Sequence, residues 1–239
     1  MMRKIILLSL LFIGKSICAQ NYFNLSPGFA AGNFEEWNQS IKTYNYARPW
    51  LKDPLNQMHA GLYAGAGLTG ILAKALFISP EISYTNLRSF ASNETVESSI
   101  RIHWCRANVQ FDIFPREFGL DTVWFIFRPF LRVGAGASSL IPRIRFNNYL
   151  ASVRDFKYAP VVWTYHYTLG VGCRYSLSRK FDIMPLIQYY YYPNINLIDF
   201  AEALHGSNVP NLRNNGKYFP MHFSVSLCFR IGKPDITEK

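Results

Sequence analysis

This 239-residue sequence has no run of eighteen or more apolar residues, so it offers no candidate transmembrane helix. Charge is also scarce. Only 17% of residues are charged, against 49% hydrophobic and 16% aromatic. Cysteine is sparse: Cys105, Cys173 and Cys228 are the only ones beyond the first twenty residues, and their spacing fits no metal site. They read as small strand residues, with a Cys105–Cys228 disulfide as the open alternative. Lysine is absent from every segment of strand-like alternation. An apolar, aromatic-rich chain without a helical span can still carry its lipophilicity on alternate residues of strands.

The N-terminus is read separately. Arg3 and Lys4 precede the apolar run Ile5–Gly14, and Ser16-Ile17-Cys18-Ala19 closes it in small residues. This pattern predicts a secretory signal peptide over 1–19, cleaved after Ala19. Ile17 stands where a lipoprotein signal wants a small residue, which argues against lipidation of Cys18. The formal charge of +10 loses Arg3, Lys4 and Lys15 with the leader, 10 − 3 = +7. A basic balance suits nucleic acid or an anionic leaflet. Export leaves the leaflet and excludes nucleic acid.

Period-two alternation dominates the rest. In 218–232, Phe219, Met221, Phe223, Val225, Leu227, Phe229 and Ile231 share one face, and His222, Ser224, Ser226, Cys228 and Arg230 share the other. Segments 163–178 and 57–72 repeat the pattern. Strands are predicted at 22–33, 57–72, 75–87, 97–114, 123–139, 163–178, 181–192 and 218–232. In 97–114 the apolar face moves from Ile100, Ile102 and Trp104 to Cys105, Ala107, Val109, Phe111 and Ile113, which predicts a β-bulge near Trp104. Pro80, Pro129, Pro185 and Pro220 recur in register and are assigned to strand ends or bulges. The connections are short at 73–74, 115–122 and 179–180. They are medium or long at 88–96, 34–56, 140–162 and 193–217.

The polar faces fix which side points out. All mature lysines (Lys42, Lys52, Lys74, Lys157, Lys180, Lys217, Lys233 and Lys239) fall in proposed loops, turns or the tail. Polar strand faces hold Gly, Ser, Thr and His with sparse Arg, the composition of a crowded interior. Trp124, Phe125, Trp163, Tyr165, Tyr189 and Tyr191 lie near strand ends, where an aromatic belt would sit. The expected fold is all-β: an eight-stranded antiparallel transmembrane β-barrel over 20–233, with short helices in its long extracellular loops and a tail at 234–239. A lipocalin-like soluble barrel, apolar inside, is the rival.

Particular segments carry a family likeness. The leader's Cys18-Ala19-Gln20 ending, the strand Ser79-Pro80-Glu81-Ile82-Ser83-Tyr84, the run Arg128-Pro129-Phe130-Leu131-Arg132-Val133-Gly134 and the closing Ser224–Lys233 resemble the small outer-membrane β-barrel proteins of the Bacteroidetes type. The resemblance spans the mature chain and implies an outer-membrane location. It brings no active-site motif.

Two groups of residues are candidates for function. Glu81, Arg106, Asp112, Arg128, Arg132, Arg174, Asp182 and Arg230 are expected to form a lumen charge network, because charges facing a narrow interior must pair. His59, His166 and His222 join them on the lumen face. The second group is a loop interaction surface. Asn33 and Glu36 have capping-box spacing. Trp37, Ile41 and Tyr44 then recur at helical intervals, and 196–205 repeats the pattern around Phe200. These helices either cap the mouth or dock a partner. Arg143, Arg145, Arg154 and Lys157 make the 141–160 segment basic enough to meet lipopolysaccharide phosphates. The sequence predicts a non-enzymatic structural, adhesion or scaffold barrel, or an accessory of an envelope or secretion complex, with no cofactor and no metal. Its partners are outer-membrane lipid, lipopolysaccharide and an envelope protein. Solute transport or lipid modification is the alternative.

Overall fold

The computed structural model describes residues 21–231 except 33, 51, 74, 93–95, 115–126, 149–152, 179, 206–214 and 219. The expected leader and tail, and Trp124, Phe125 and Phe219, lie outside the described residues. The elements are β1 (Asn21–Ala31), α1 (Glu35–Tyr46), β2 (Ala60–Ala73), β3 (Leu76–Ser92), β4 (Val96–Ile113), β5 (Phe127–Asn148), β6 (Val153–Tyr158), β7 (Val162–Ser176), β8 (Phe181–Asn196), α2 (Ile198–His205), β9 (Asn215–Tyr218) and β10 (Met221–Ile231).

All pairings are antiparallel, and the sheet closes on itself because β10 pairs with both β1 and β8. β6 and β7 lie along successive parts of β5, at Arg143–Asn148 and Phe127–Leu140. They are two lengths of one stave, as are β9 and β10 beside β8. The ten segments therefore make an eight-stranded barrel, which leaves no open edge in the ring.

Side-chain direction follows the parity of the sequence. Leu62, Ile82, Trp163 and Leu169 point outward and are 76%, 72%, 75% and 59% exposed, while Tyr63, Ser83, His166 and Thr168 beside them are buried inside. A soluble barrel would put those apolar residues in its core. The outward apolar face makes this a transmembrane barrel. No helix among the described residues is long and apolar enough to cross a membrane.

Short connections, 74–75 and 177–180, lie at the same end as Asn21 and Ile231; α1 and α2 lie at the other. A strand needs about 9–11 residues to cross a bilayer, yet β3, β4 and β5 have 17, 18 and 22. The wall therefore stands proud of the membrane on the helical side. This corrects the expected loops at 88–96 and 140–162. β3 reaches Ser92, β4 starts at Val96, and β5 runs to Asn148 before returning as β6. In these stretches the exterior stops being apolar because the membrane ends, not because the strand does.

The expected bulge at Trp104 is absent. β4 and β5 pair without a register shift from Val96↔Asn148 to Ile113↔Leu131. Ile100, Ile102 and Trp104 point inward, and Cys105, Ala107, Val109 and Ile113 outward. The apolar face changes sides because the barrel interior is apolar near the mouth and polar lower down. Register also runs unshifted through Pro80 on the β3–β4 side, so this proline sits at no bulge. The shifts that do occur lie at Ile71/Ala73 and Tyr192/Ile195.

Candidate functional site: a filled lumen under a capped mouth

Six charged side chains meet inside the barrel, three arginines and three carboxylates. Glu81 is the most exposed of them at 8%; Arg106, Asp112, Arg132, Arg174 and Asp182 are deeper still. Each is placed by strand parity, and balance between the signs is what lets them share a poorly hydrated space. At the inner end Arg174 binds Asp182, with Nη2 and Nε 2.7 and 2.8 Å from Oδ2. Its guanidinium lies 3.8 Å over the Tyr22 ring. Further up, Arg132 grips Asp112 with two bonds, Nε to Oδ1 at 2.6 Å and Nη2 to Oδ2 at 2.8 Å. That fork geometry is the strong form of an arginine–carboxylate contact.

Above this pair Glu81 accepts from the Tyr63 hydroxyl at 2.7 Å and from Asn108 at 3.5 Å. Arg106 donates from Nε to the Tyr192 hydroxyl at 2.6 Å and from Nη1 to Thr85 at 2.7 Å. It also lies over the Trp104 and Tyr190 rings at 4.6 and 5.0 Å, a cation–π arrangement. Asn108 Oδ1, His166 and Ser138 form a chain, 2.6 Å to Nε2 and 2.8 Å from Nδ1 to Oγ. This is a hydroxyl–imidazole–carboxamide relay of the kind nucleophilic catalysis uses. All three residues are buried, however: Ser138 is 1% exposed and His166 is fully enclosed.

Six of the eight expected members therefore lie inside the barrel, four of them joined as two ion pairs. Arg128 does not join. It is exposed at the second residue of β5, opposite Arg174, at the end of the wall. Arg230 stands at the same rim, partly buried, 5.4 Å over Tyr22. His59 is exposed, whereas His166 and His222 are inside. The tyrosines Tyr63, Tyr190 and Tyr192 were missed as lumen residues. Parity marks them, since Tyr63 shares the face of Gly61, Gly65 and Gly67. Cys105, Cys173 and Cys228 are all free.

Inward glycines make the room. A Cβ on Gly136 would clash with the Ala107 carbonyl oxygen and lie 2.8 Å from Asn108 Oδ1 and 2.9 Å from the His166 ring. Gly136→Ala is expected to destabilise the barrel by about 1–3 kcal/mol through overpacking, measured as a lower urea midpoint in detergent micelles.

Over the polar layer sits an apolar plug. Ile100, Ile102, Trp104, Leu140 and Ile144 from the wall pack with Phe34, Trp37, Ile41 and Tyr44 of the α1 region and Leu197, Phe200 and Leu204 of the α2 region. Trp37 meets Phe200 at 4.5 Å between ring centroids. Tyr44 and Ser98 share a hydrogen bond at 3.1 Å. Asn38 holds the returning chain at Met58 through both amide atoms, at 3.0 and 2.7 Å, and Asn45 holds Leu55 the same way. Trp37, Ile41, Tyr44 and Phe200 are thus 0–4% exposed, which corrects their expected place on an interaction surface. The barrel mouth supplies an apolar partner that the sequence pattern does not show. Ile41→Val should cost the cap about 0.5–1.5 kcal/mol. Faster hydrogen exchange at α1 amides, with exchange at β4 unchanged, checks it.

The helix ends differ slightly from expectation. The residue before α1 is Phe34, whose side chain makes no capping bond; the expected capping box begins at Asn33, which lies outside the described residues. At α2, Asn196 Oδ1 accepts from the Ile198 amide at 3.0 Å, and Asp199 sits in the first turn. Both favour a helix start there. Of the basic residues, Arg143 and Arg145 are exposed on β5. Arg154 and Lys157 fall on β6, opposite Asn147 and Ile144.

No protein-family model matches this sequence, and neither does any curated protein. Among solved structures, similar chains include the outer membrane protein OprG from Pseudomonas aeruginosa. It is 11% identical with a TM-score of 0.43, over 89% of this chain and 97% of that one. Neisserial surface protein A is 9% identical with a TM-score of 0.40, over 89% and 96%. Ail, the attachment invasion locus protein of Yersinia pestis, is 9% identical with a TM-score of 0.39, over 88% and 99%. Likenesses this distant carry no argument, so the fold rests on the closed pairing and outward apolar face described above.

Proposed function

We propose that this protein is a non-enzymatic barrel of the bacterial outer membrane, of the small Bacteroidetes type, with a filled lumen. Its work is done at the outer rim, as a structural, adhesion or scaffold element or as an accessory of an envelope or secretion complex. The partners are the surrounding lipid, lipopolysaccharide and an envelope protein. The observation that carries this reading is the stacking of two seals: a charge-balanced polar layer, then a plug built from both helices. An eight-stranded interior is only just wide enough for its own side chains.

Burial of the helix faces moves the working surface from the helices to the wall above the membrane, where Arg143 and Arg145 are exposed. Planar-bilayer recording of purified protein tests the reading. The expected result is no unit conductance; reproducible steps would overturn the filled lumen. The Ser138–His166–Asn108 relay is the one observation that favours lipid modification. Cells carrying wild type or Ser138→Ala should yield outer-membrane lipid with the same acyl pattern. A difference between them would restore the enzymatic reading.

A further inference from the structure

The chain that leaves α1 encloses, with α2 and the inner wall of the mouth, a cavity of about 260 Å³. Its lining includes Tyr44 from the last turn of α1, Arg48 and Trp50 from the turn that follows, Ser98 of β4, Phe146 of β5 and Leu204 of α2. Register brings the two wall residues together, since Ser98 stands opposite Phe146. Trp50 is 52% exposed, so one side of the cavity lies at the surface, while Tyr44 and Leu204 belong to the plug. Sites for drug-sized ligands occupy roughly 300–1,000 Å³. This smaller space suits a single ring with its substituents.

The charge in this lining is held in place. Arg48 is partly buried, and its Nη1 reaches the Tyr44 carbonyl at 3.5 Å, at a helix end where a cation is favoured. Its guanidinium lies 3.9 Å over the Tyr44 ring. These contacts leave most of its donors unused, and among the described residues Arg48 makes no ion pair. A fixed guanidinium at a cavity wall matches a carboxylate in a two-point contact. One cation also balances one negative charge, which favours a carboxylate over a doubly charged phosphate. At the end of the same tyrosine ring the Tyr44 and Ser98 hydroxyls share their hydrogen bond. Trp50 adds a flat apolar face on the exposed side, and Phe146 and Leu204 add apolar surface.

We infer that this cavity binds one acidic sugar unit, a pyranose ring bearing a single carboxylate. The carboxylate pairs with Arg48, the ring hydroxyls meet Ser98 and Tyr44, and the apolar C–H face of the ring stacks on Trp50. Because the guanidinium lies over the Tyr44 ring and the hydroxyl pair at its end, one six-membered ring reaches both. A neutral sugar would leave Arg48 without its counter-charge. An aromatic carboxylate would satisfy Arg48 and Trp50 but bring no polar edge to the hydroxyls. The inference rests on the reading of the outer rim as the working surface and names the chemistry held there.

The test titrates methyl glucuronide, methyl glucoside and phenylacetate against the full mature chain in phosphatidylcholine nanodiscs, with binding read by saturation-transfer NMR. Wild type should bind the glucuronide at least about tenfold more tightly than either other probe, the effect of one charge-assisted contact. Arg48→Gln should lose that preference yet bind the glucoside as wild type does, which a collapsed cavity would not. Trp50→Ala should weaken both sugars alike. Equal binding of glucuronide and glucoside by wild type would overturn the inference, as would glucuronide binding that survives Arg48→Gln unchanged. Phenylacetate binding as tightly as the glucuronide, or no binding by any probe, would overturn it too. Heat-shifted gel migration and planar-bilayer conductance of the same preparation report on the barrel and its filled lumen. A failed titration on a heat-shifting, non-conducting protein therefore counts against the sugar site alone.

Discussion

Arg132→Ala is expected to destabilise the folded barrel by about 3–5 kcal/mol, because it strands Asp112 as an uncompensated charge in a sealed interior. The pair is a two-point contact at 2.6 and 2.8 Å with both side chains only 2% exposed. Asp112 keeps a third contact, Ser79 at 3.4 Å, too long to replace a guanidinium. The loss reflects an orphaned charge more than the net worth of the pair, so removing both members should behave differently. Arg132→Met with Asp112→Leu fills similar volume without charge and should recover most of the stability. Urea titration in micelles reads both. A single variant no worse than the double one would show that Asp112 is hydrated, and hence that the lumen is wet.

Leu169→Arg carries the other large effect, and its sign separates two architectures. Leu169 is 59% exposed and sits between Tyr165 and Tyr167 on one side and Tyr175 on the other, near the middle of the apolar band. An arginine on the lipid face at mid-bilayer costs about 2–4 kcal/mol. On a soluble barrel the same change would place a charge in water, with an effect within about 0.5 kcal/mol. Equilibrium unfolding from bilayers is the measurement. Thr168→Arg does not serve as its control, since Thr168 is buried in the lumen.

Strand parity is legible outside β4, because a period of two follows from the backbone alone and each buried or exposed face repeats it. The extents of the strands were not. At Arg143 and Arg145 the exterior turns basic while Leu140 and Ile144 stay buried on the other face. Reading the exterior alone ends the strand where only the bilayer ends. Trp104 misled for the complementary reason: its inward apolar neighbours belong to the plug, which exists only once the barrel has closed and drawn Trp37 and Phe200 over it. The charge network was legible wherever parity falls inside the wall, as at Arg106, Arg132 and Arg174. It failed at Arg128 because parity carries no information about how near a residue lies to the rim. Arg88, Arg101 and Arg143 are distant in sequence and become neighbours through pairing alone.

The account turns on which face meets lipid, and spin-label accessibility measures that directly. With Cys105, Cys173 and Cys228 replaced by alanine, single cysteines at Leu169 and, as a water-exposed reference, at Arg145 are labelled in bilayers. The label at 169 should relax strongly with oxygen, which concentrates in lipid, and little with a water-soluble nickel chelate; the label at 145 should do the reverse. Strong relaxation of the 169 label by the nickel chelate would contradict an apolar face in contact with the membrane.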